Sequence, residues 1–191
     1  MSTQLDNLRQ LHDAIIADLT ERYADRVYTI AAYDPFPEKN GAERLPITTP
    51  ALLLDVESID EGEEDGTDRQ PLRLTITLHC ILSFRTSDTQ LELREFAADV
   101  AARVRHNRWG LNAAVDHPQA INAQPGEFVP EQAGYDSWRV TWEQQVYVGV
   151  NIWAGGQLPE EIYLGIAPKI GPEHVDDYFR VDQGIIDGFD L

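Results

Sequence analysis

The chain has 191 residues, of which 42% are hydrophobic and 9% aromatic. That is enough apolar material for one domain with a buried core, and it excludes wholesale disorder. The 33 acidic and 15 basic residues give a formal net charge of −18 at pH 7. This charge argues against a protein that binds the outside of DNA or RNA, or an anionic membrane surface, because both need clustered Lys and Arg.

An amphipathic helix is predicted over residues 3–22. Apolar side chains recur there at spacings of three and four residues, which places them on one face: Leu5, Leu8, Leu11, Ile15 and Leu19. Thr3 and Asp6 fit a capping box at its start. The β-prone residues 27–33 follow, and residues 35–50, which contain four prolines, are predicted to form a loop.

An acidic stretch separates two predicted strands. Residues 51–56 form a short apolar run that is typical of a central strand. Residues 55–68 carry eight acids and no base, which predicts a solvated loop. Residues 72–84 alternate apolar and polar side chains and predict a long strand with one buried face. Within the acidic loop the candidate partner contacts are Glu61, Glu63, Glu64 and Asp65.

A second helix and a second long strand complete the body. The helix is predicted from a capping box at Ser87 and Gln90 and from an apolar stripe made of Leu93, Phe96, Ala97, Val100, Ala101 and Val104. Residues 120–128 predict a further strand. Residues 138–150 alternate again and predict the second long strand.

The C-terminal residues differ from the rest. Residues 157–191 carry eight acids against Lys169 and Arg180. We therefore predict a domain over residues 1–153 and an acidic, extended arm over residues 154–191. Such an arm is useful when its apolar residues anchor it to its own body or to a neighbouring copy. Three aromatic residues of the arm are further candidate partner contacts: Tyr163, Tyr178 and Phe179.

The order of these elements predicts an α+β fold. It consists of a mostly antiparallel sheet with two long strands, packed by two main helices on one side, plus the extended C-terminal arm. Trp138 and Trp142 share the apolar face of their strand, which favours core packing over a base-stacking platform. An acidic surface would instead suit a channel through which DNA slides without sticking.

No catalytic chemistry is readable in the sequence. It contains no GxSxG, GxxxxGK[ST], GxGxxG or HExxH motif. The acidic stretch lacks the register of a calcium-binding loop. Cys80 lies in an apolar run, which is typical of a buried, reduced thiol. No two histidines are three or four residues apart: His12, His79, His106, His117 and His174. We predict a protein that is not an enzyme and has no catalytic, cofactor-binding or metal-binding residues.

The order of elements over residues 3–153 resembles the Mu-like phage Gp37 family and the wider tail terminator, or tail-completion, proteins of tailed phages and phage-like contractile particles. The matching segments are LDNLRQLHDAIIADL, LPITTPALLLDVES, LRLTITLHCILSF, LELREFAADVAARVRHN and DSWRVTWEQQVYVGVNIW. The resemblance lies in pattern and order rather than in one short motif. The arm lies outside it.

The resemblance implies a structural protein without catalytic residues. Such proteins form a ring, commonly a hexamer, that caps the head-proximal end of the tail tube and of the sheath. The partners would be further copies of the chain, tube and sheath proteins, and head or neck proteins, with DNA passing through the lumen without specific binding. Two alternatives are a head–tail connector and an acidic metal-dependent enzyme whose site converges from distant residues.

The expected location follows from the first residues and from the resemblance. The N-terminal ten residues are polar and unlike a secretion signal, and no apolar run approaches the length of a membrane span. We therefore expect the chain in the cytoplasm of the bacterial host during assembly, and then in the tail of the particle.

Overall fold

The computed structural model describes residues 4–33, 47–126, 134–153 and 163–180. The chain divides into two compact units, Met1–Ile152 and Trp153–Leu191. The predicted boundary after residue 153 lies one residue away from this division. No helix of the described residues is long and apolar enough to span a membrane.

The first unit has an α+β fold. Its elements are α1 Leu8–Tyr23, β1 Thr29–Ala32, β2 Ala51–Glu61, β3 Gln70–Ser83, α2 Thr89–Val104, β4 Gln119–Pro125 and β5 Tyr135–Val148. The strands form one sheet in the order β1-β2-β3-β5-β4. β1 runs parallel to β2, and the other neighbours are antiparallel. The predicted α+β class with a mostly antiparallel sheet and two long strands is confirmed, since β3 and β5 each have 14 residues.

Both helices pack on the same face of the sheet, as predicted. Alternate residues of β2, β3 and β5 form one buried cluster with the apolar stripes of α1 and α2. Its members from the central strand are Leu74, Ile76, Leu78, Cys80 and Leu82. Cys80 is buried and free, as expected, and burial raises the pKa of its thiol. Phe84 is exposed rather than buried because β3 ends one residue earlier.

Neither helix begins at the capping box that the sequence predicts. α1 starts at Leu8, where the Asn7 side chain accepts a 3.1 Å hydrogen bond from the Gln10 N–H. The Gln10 side chain in turn accepts one from the Asp6 N–H at 2.7 Å. The predicted box at Asp6 is therefore wrong, and Thr3 lies outside the described residues. The arrangement is similar to a capping box four residues further along, but Gln10 accepts from the residue before the N-cap and not from the N-cap Asn7 itself.

The start of α2 also differs from the prediction. Its N-cap is Asp88, in the left-handed conformation at φ 50°, and no side chain caps the helix there. The Ser87 and Gln90 capping box is therefore wrong. The Gln90 amide instead donates a hydrogen bond to Asp136 of β5, and it thus ties the first turn of the helix to the sheet.

The predicted acidic loop over residues 55–68 is wrong in its first half. β2 continues to Glu61, so that half of the stretch pairs with β3. The pairing slips between Val56 and Ser58, which makes a β-bulge at Glu57. A bulge breaks the alternation of apolar and polar residues, so the sequence pattern conceals the strand.

The second unit is described over residues 163–180. β6 Tyr163–Leu164 pairs antiparallel with β7 Phe179–Arg180, and a 3-10 helix, Pro172–Asp177, lies between them. The described part of the predicted extended arm thus doubles back on itself. The Tyr178 ring covers Gly165 so closely that a Cβ there would lie 2.3 Å from the ring, which explains the glycine at this position.

Candidate functional site

The sheet has a second face on which no described helix packs. We call it the open face. Side chains that alternate with the core residues form it, and they are largely polar: Asp55, Glu57, Ser58 and Asp60 of β2, Arg73, Thr75, Thr77 and His79 of β3, and Arg139, Thr141, Glu143 and Gln145 of β5. At one end a small apolar cluster of Ala51, Leu53 and Ile81 interrupts the polar surface.

Thr77 is the centre of a hydrogen-bonded row across the open face. Its hydroxyl donates to the Glu57 carboxylate at 2.8 Å and lies 2.8 Å from the Thr141 hydroxyl. Because Thr77 has one hydroxyl proton, Thr141 must be the donor in the second bond. The bulge in β2 turns Glu57 toward this face, and the row holds its carboxylate in place. Thr77 is fully buried by these neighbours.

His79 lies further along the open face. Its ring centroid is 4.8 Å from that of Tyr33. Burial lowers the pKa of His79; the nearby Asp55 and Glu57 raise it and Arg139 lowers it, and the net shift is downward from 6.5. The imidazole is therefore neutral at pH 7, so this part of the face presents an aromatic pair and not an additional positive charge.

The four predicted contacts of the acidic stretch have different surroundings. Glu61 ends β2 and is exposed, and Glu64 is exposed as well. Glu63 is held through its backbone, because its N–H donates to the Gln145 side chain at 3.0 Å and its C=O accepts from it at 2.6 Å. Asp65 accepts hydrogen bonds from Thr67. Three of the four carboxylates thus face solvent, while Asp65 stabilises the turn.

Arg69 clamps the turn between β2 and β3, and sequence reasoning missed it. Its guanidinium pairs with Asp65, donates to the Ala113 carbonyl at 2.7 Å and lies 5.0 Å from the centre of the Tyr147 ring. Only 7% of its side chain is exposed. Burial alone would raise the pKa of Asp65, but hydrogen bonds from Thr67 and Arg69 and the charge of Arg69 hold it below 3.8.

Gln144 is the second residue that sequence reasoning missed. It lies among apolar residues on the helix-covered face and is 1% exposed. Its oxygen accepts from the indoles of Trp109 and Trp142 at 2.9 and 3.0 Å. Its nitrogen donates to the carbonyls of Asn107 and Asp116 at 3.1 and 2.8 Å. All four hydrogen-bonding positions of the amide are used, so the segment between α2 and β4 is held firmly to β5.

The three predicted contacts of the arm lie together in the second unit. Tyr163 is 53% exposed, and other apolar residues of the same unit are exposed as well: Leu164, Ile166, Ile170 and Val175. The Tyr178 hydroxyl accepts a 2.7 Å hydrogen bond from the Gly171 N–H, so this residue stabilises the unit itself. Phe179 pairs with Leu164 through the backbone.

No metal centre is formed by the residues that the structure describes. Among them, no three His, Cys, Asp or Glu side chains are grouped so that they could hold an ion. A cleft of about 420 Å³ beside α2 is lined by Arg26, Glu92, Glu95 and Asp99 among others. In it Arg26 and Asp99 form an ion pair.

The fold and the open face define a class: an α+β domain whose sheet is covered by helices on one side and presents a polar surface on the other. No protein-family model matches the sequence, and a comparison with curated proteins finds no relative. Function has therefore to be inferred from the sequence pattern and the geometry of the sheet.

Proposed function

We propose that this chain is a structural tail terminator of a phage or phage-like contractile particle. It would form a ring that caps the head-proximal end of the tail tube and sheath and stops their polymerisation. The observation that carries the proposal is the pair of 14-residue antiparallel strands β3 and β5. Among the residues that the structure describes, helices cover this pair on one face only, and the other face is available for contacts.

The charge distribution supports this proposal. The open face and the β2–β3 turn carry nine of the 25 carboxylates of residues 1–153, and the chain as a whole has a net charge of −18. A lumen lined by such a surface repels phosphates and lets DNA pass without sticking. The partners of the ring would be tube and sheath proteins on one side and head or neck proteins on the other.

Electron microscopy of particles from a host that lacks the gene tests the terminator role. We expect tails of abnormal and variable length, since nothing would stop tube growth, and normal length after the wild-type gene is returned. Tails of normal length in the deletion strain would contradict the proposal. If those normal tails were detached from heads, the head–tail connector would become the better assignment.

A further inference from the structure

The cleft beside α2 has an apolar part and an acidic part. Val27, which follows α1, and Leu82, near the end of β3, belong to the main apolar core, and Phe96 of α2 packs against that core. Pro50 completes the apolar lining. The volume of about 420 Å³ lies within the range of roughly 300–1,000 Å³ that is usual for small-molecule sites. A bound molecule would therefore bury apolar atoms at the edge of the core.

The acidic part of the lining comes from α2. Glu92, Glu95 and Asp99 are spaced by three and four residues, so they share one side of the helix. Asp99 forms an ion pair with Arg26. In the part of the chain that the structure describes, the carboxylates of Glu92 and Glu95 have no ion pair or hydrogen bond, and both residues are exposed. Three acids against one base give the cleft a net charge of −2, and the two unpaired carboxylates are accessible to a cation.

Tyr23 adds a buried hydroxyl next to the cleft. The centre of its ring lies 4.8 Å from the guanidinium carbon of Arg26 and 6.2 Å from the centre of the Phe96 ring, which it meets edge to face. The residue is fully buried, and among the described residues its hydroxyl has no hydrogen bond of normal geometry. Burial and the neighbouring Asp99 raise the pKa of this hydroxyl. Since buried polar groups are nearly always paired, a hydroxyl in this position is available to a donor of a bound molecule.

The residues of the cleft fit an organic cation better than an anion or a metal ion. An anion would meet a net negative charge. A hard metal ion needs several oxygen ligands at once, whereas no three His, Cys, Asp or Glu side chains among the described residues are grouped so that they could hold one. An alkylammonium ion needs only one or two carboxylates for its head group and an apolar surface for its chain, and the cleft offers both.

We propose that this cleft binds an organic cation with an apolar body. Its ammonium group would lie against Glu92 and Glu95, and its hydrocarbon part against Phe96 and Leu82. Free alkylamines and the lysine side chains of other proteins share this chemistry. The site is separate from the open face of the sheet, and its occupation does not depend on the terminator role.

Three probes with the same hexyl chain test the cleft: hexylammonium, hexanol and hexanoate. Their titration into the nitrogen-15-labelled chain, followed by two-dimensional NMR, gives both the affinity and the location. We expect hexylammonium to bind at least about 5-fold more tightly than hexanol, and hexanoate to bind most weakly. The shifted amide signals should belong to residues 92–99 and to Arg26 and Val27. Methylammonium, which lacks the apolar body, should bind at least about 10-fold more weakly than hexylammonium.

Substitution of the two unpaired acids tests their role. The variant Glu92→Gln with Glu95→Gln should bind hexylammonium about 5-fold more weakly than the wild type does, whereas hexanol affinity should stay unchanged. A matched control carries Glu61→Gln and Glu64→Gln, two exposed acids near the opposite end of the sheet. It changes the net charge by the same amount but should bind hexylammonium like the wild type.

A fourth probe, N-acetyl-lysine methylamide, distinguishes the two sources of the cation. Binding as tight as that of hexylammonium assigns the cleft to a lysine of a partner protein, and much weaker binding assigns it to free alkylamines. The inference is overturned if hexanol or hexanoate binds as tightly as hexylammonium, if the shifted signals lie elsewhere, or if the Glu92 and Glu95 variant binds like the control. None of these results decides the terminator role, which the tail-length experiment tests separately.

Discussion

The two faces of the central strands use the same backbone for different purposes. Thr77 and Leu78 are neighbours on β3, and both are fully buried. Leu78 is surrounded by the apolar side chains of the helix-covered core, whereas Thr77 is enclosed by Glu57 and Thr141. The two faces therefore differ in the polarity of the side chains that surround these residues, and not in how deeply the residues are buried. One face supplies stability through apolar packing, and the other can present polar groups to partners at little cost to the fold.

The largest effect is expected on the covered face. Leu78→Ala removes apolar atoms from a closely packed site and should lower the free energy of unfolding by about 3–5 kcal/mol. Urea unfolding followed by circular dichroism measures it. Leu91→Ala on α2, where the side chain is 55% exposed, is the matched control and should cost no more than about 0.5 kcal/mol. Equal losses in the two variants would mean that the packing described for this face is wrong.

The second-largest loss of stability is expected for a polar residue on the covered face. Gln144→Leu keeps the volume but leaves two indole N–H groups and two carbonyls without their partner. We expect the free energy of unfolding to fall by about 2–4 kcal/mol. Each buried polar group without a partner costs about 1–3 kcal/mol, and relaxation of the surrounding structure recovers part of the total. Gln70→Leu, at the exposed first residue of β3, is the control. A Gln144→Leu variant as stable as the control would show that apolar packing alone fixes the segment between α2 and β4.

The sequence predicted the covered face far better than the open one. Alternation along β3 and β5 and the three- and four-residue spacing in both helices follow directly from burial on one side, so these elements could be placed from the pattern. The role of Gln144 could not be predicted from the pattern. Its hydrogen-bond partners Trp109 and Asp116 are distant in sequence, and only the fold brings them beside it.

The candidate site was predicted only in part. Acidic composition favoured a loop over residues 55–68, whereas pairing with β3 makes half of it a strand and a bulge hides its period. The Glu57–Thr77–Thr141 row joins residues up to 84 positions apart in the chain, and no local motif marks it. Arg69 was missed for the same reason, since its partners Ala113 and Tyr147 are distant in sequence.

A smaller effect is expected on the open face. Thr77→Val is close to isosteric and removes both hydrogen bonds of the row, but Glu57 and Thr141 are not fully buried and can bond to water instead. The free energy of unfolding should fall by only about 1 kcal/mol. In a double-mutant cycle with Thr141→Val, the coupling energy should be at least about 0.5 kcal/mol. Strict additivity of the two losses would contradict a direct bond between the hydroxyls.

The smallest effect should appear at the end of the sheet, where Asp65 and Arg69 hold the turn. Since the pKa of Asp65 is held below 3.8 in the folded chain, its ionised form stabilises the fold above that pH. The contribution is lost as the pH falls through the folded-state pKa. The difference in urea midpoint between the wild type and Asp65→Asn should therefore be present at pH 7 and shrink below about pH 4.

The exposed Asp68 gives the matched control for that measurement. Asp68→Asn removes one negative charge from the same turn, three residues away from Asp65. It leaves the ion pair between Asp65 and Arg69 intact. At pH 7 it should change the urea midpoint less than Asp65→Asn does, because loss of an exposed charge costs little, whereas Asp65→Asn also removes the ion pair with Arg69. The effect stays small because the Arg69 guanidinium keeps its hydrogen bonds to Thr67 and to the Ala113 carbonyl. If both variants lowered the midpoint equally and kept the difference at pH 3, net charge rather than the Asp65–Arg69 pair would stabilise this end of the sheet.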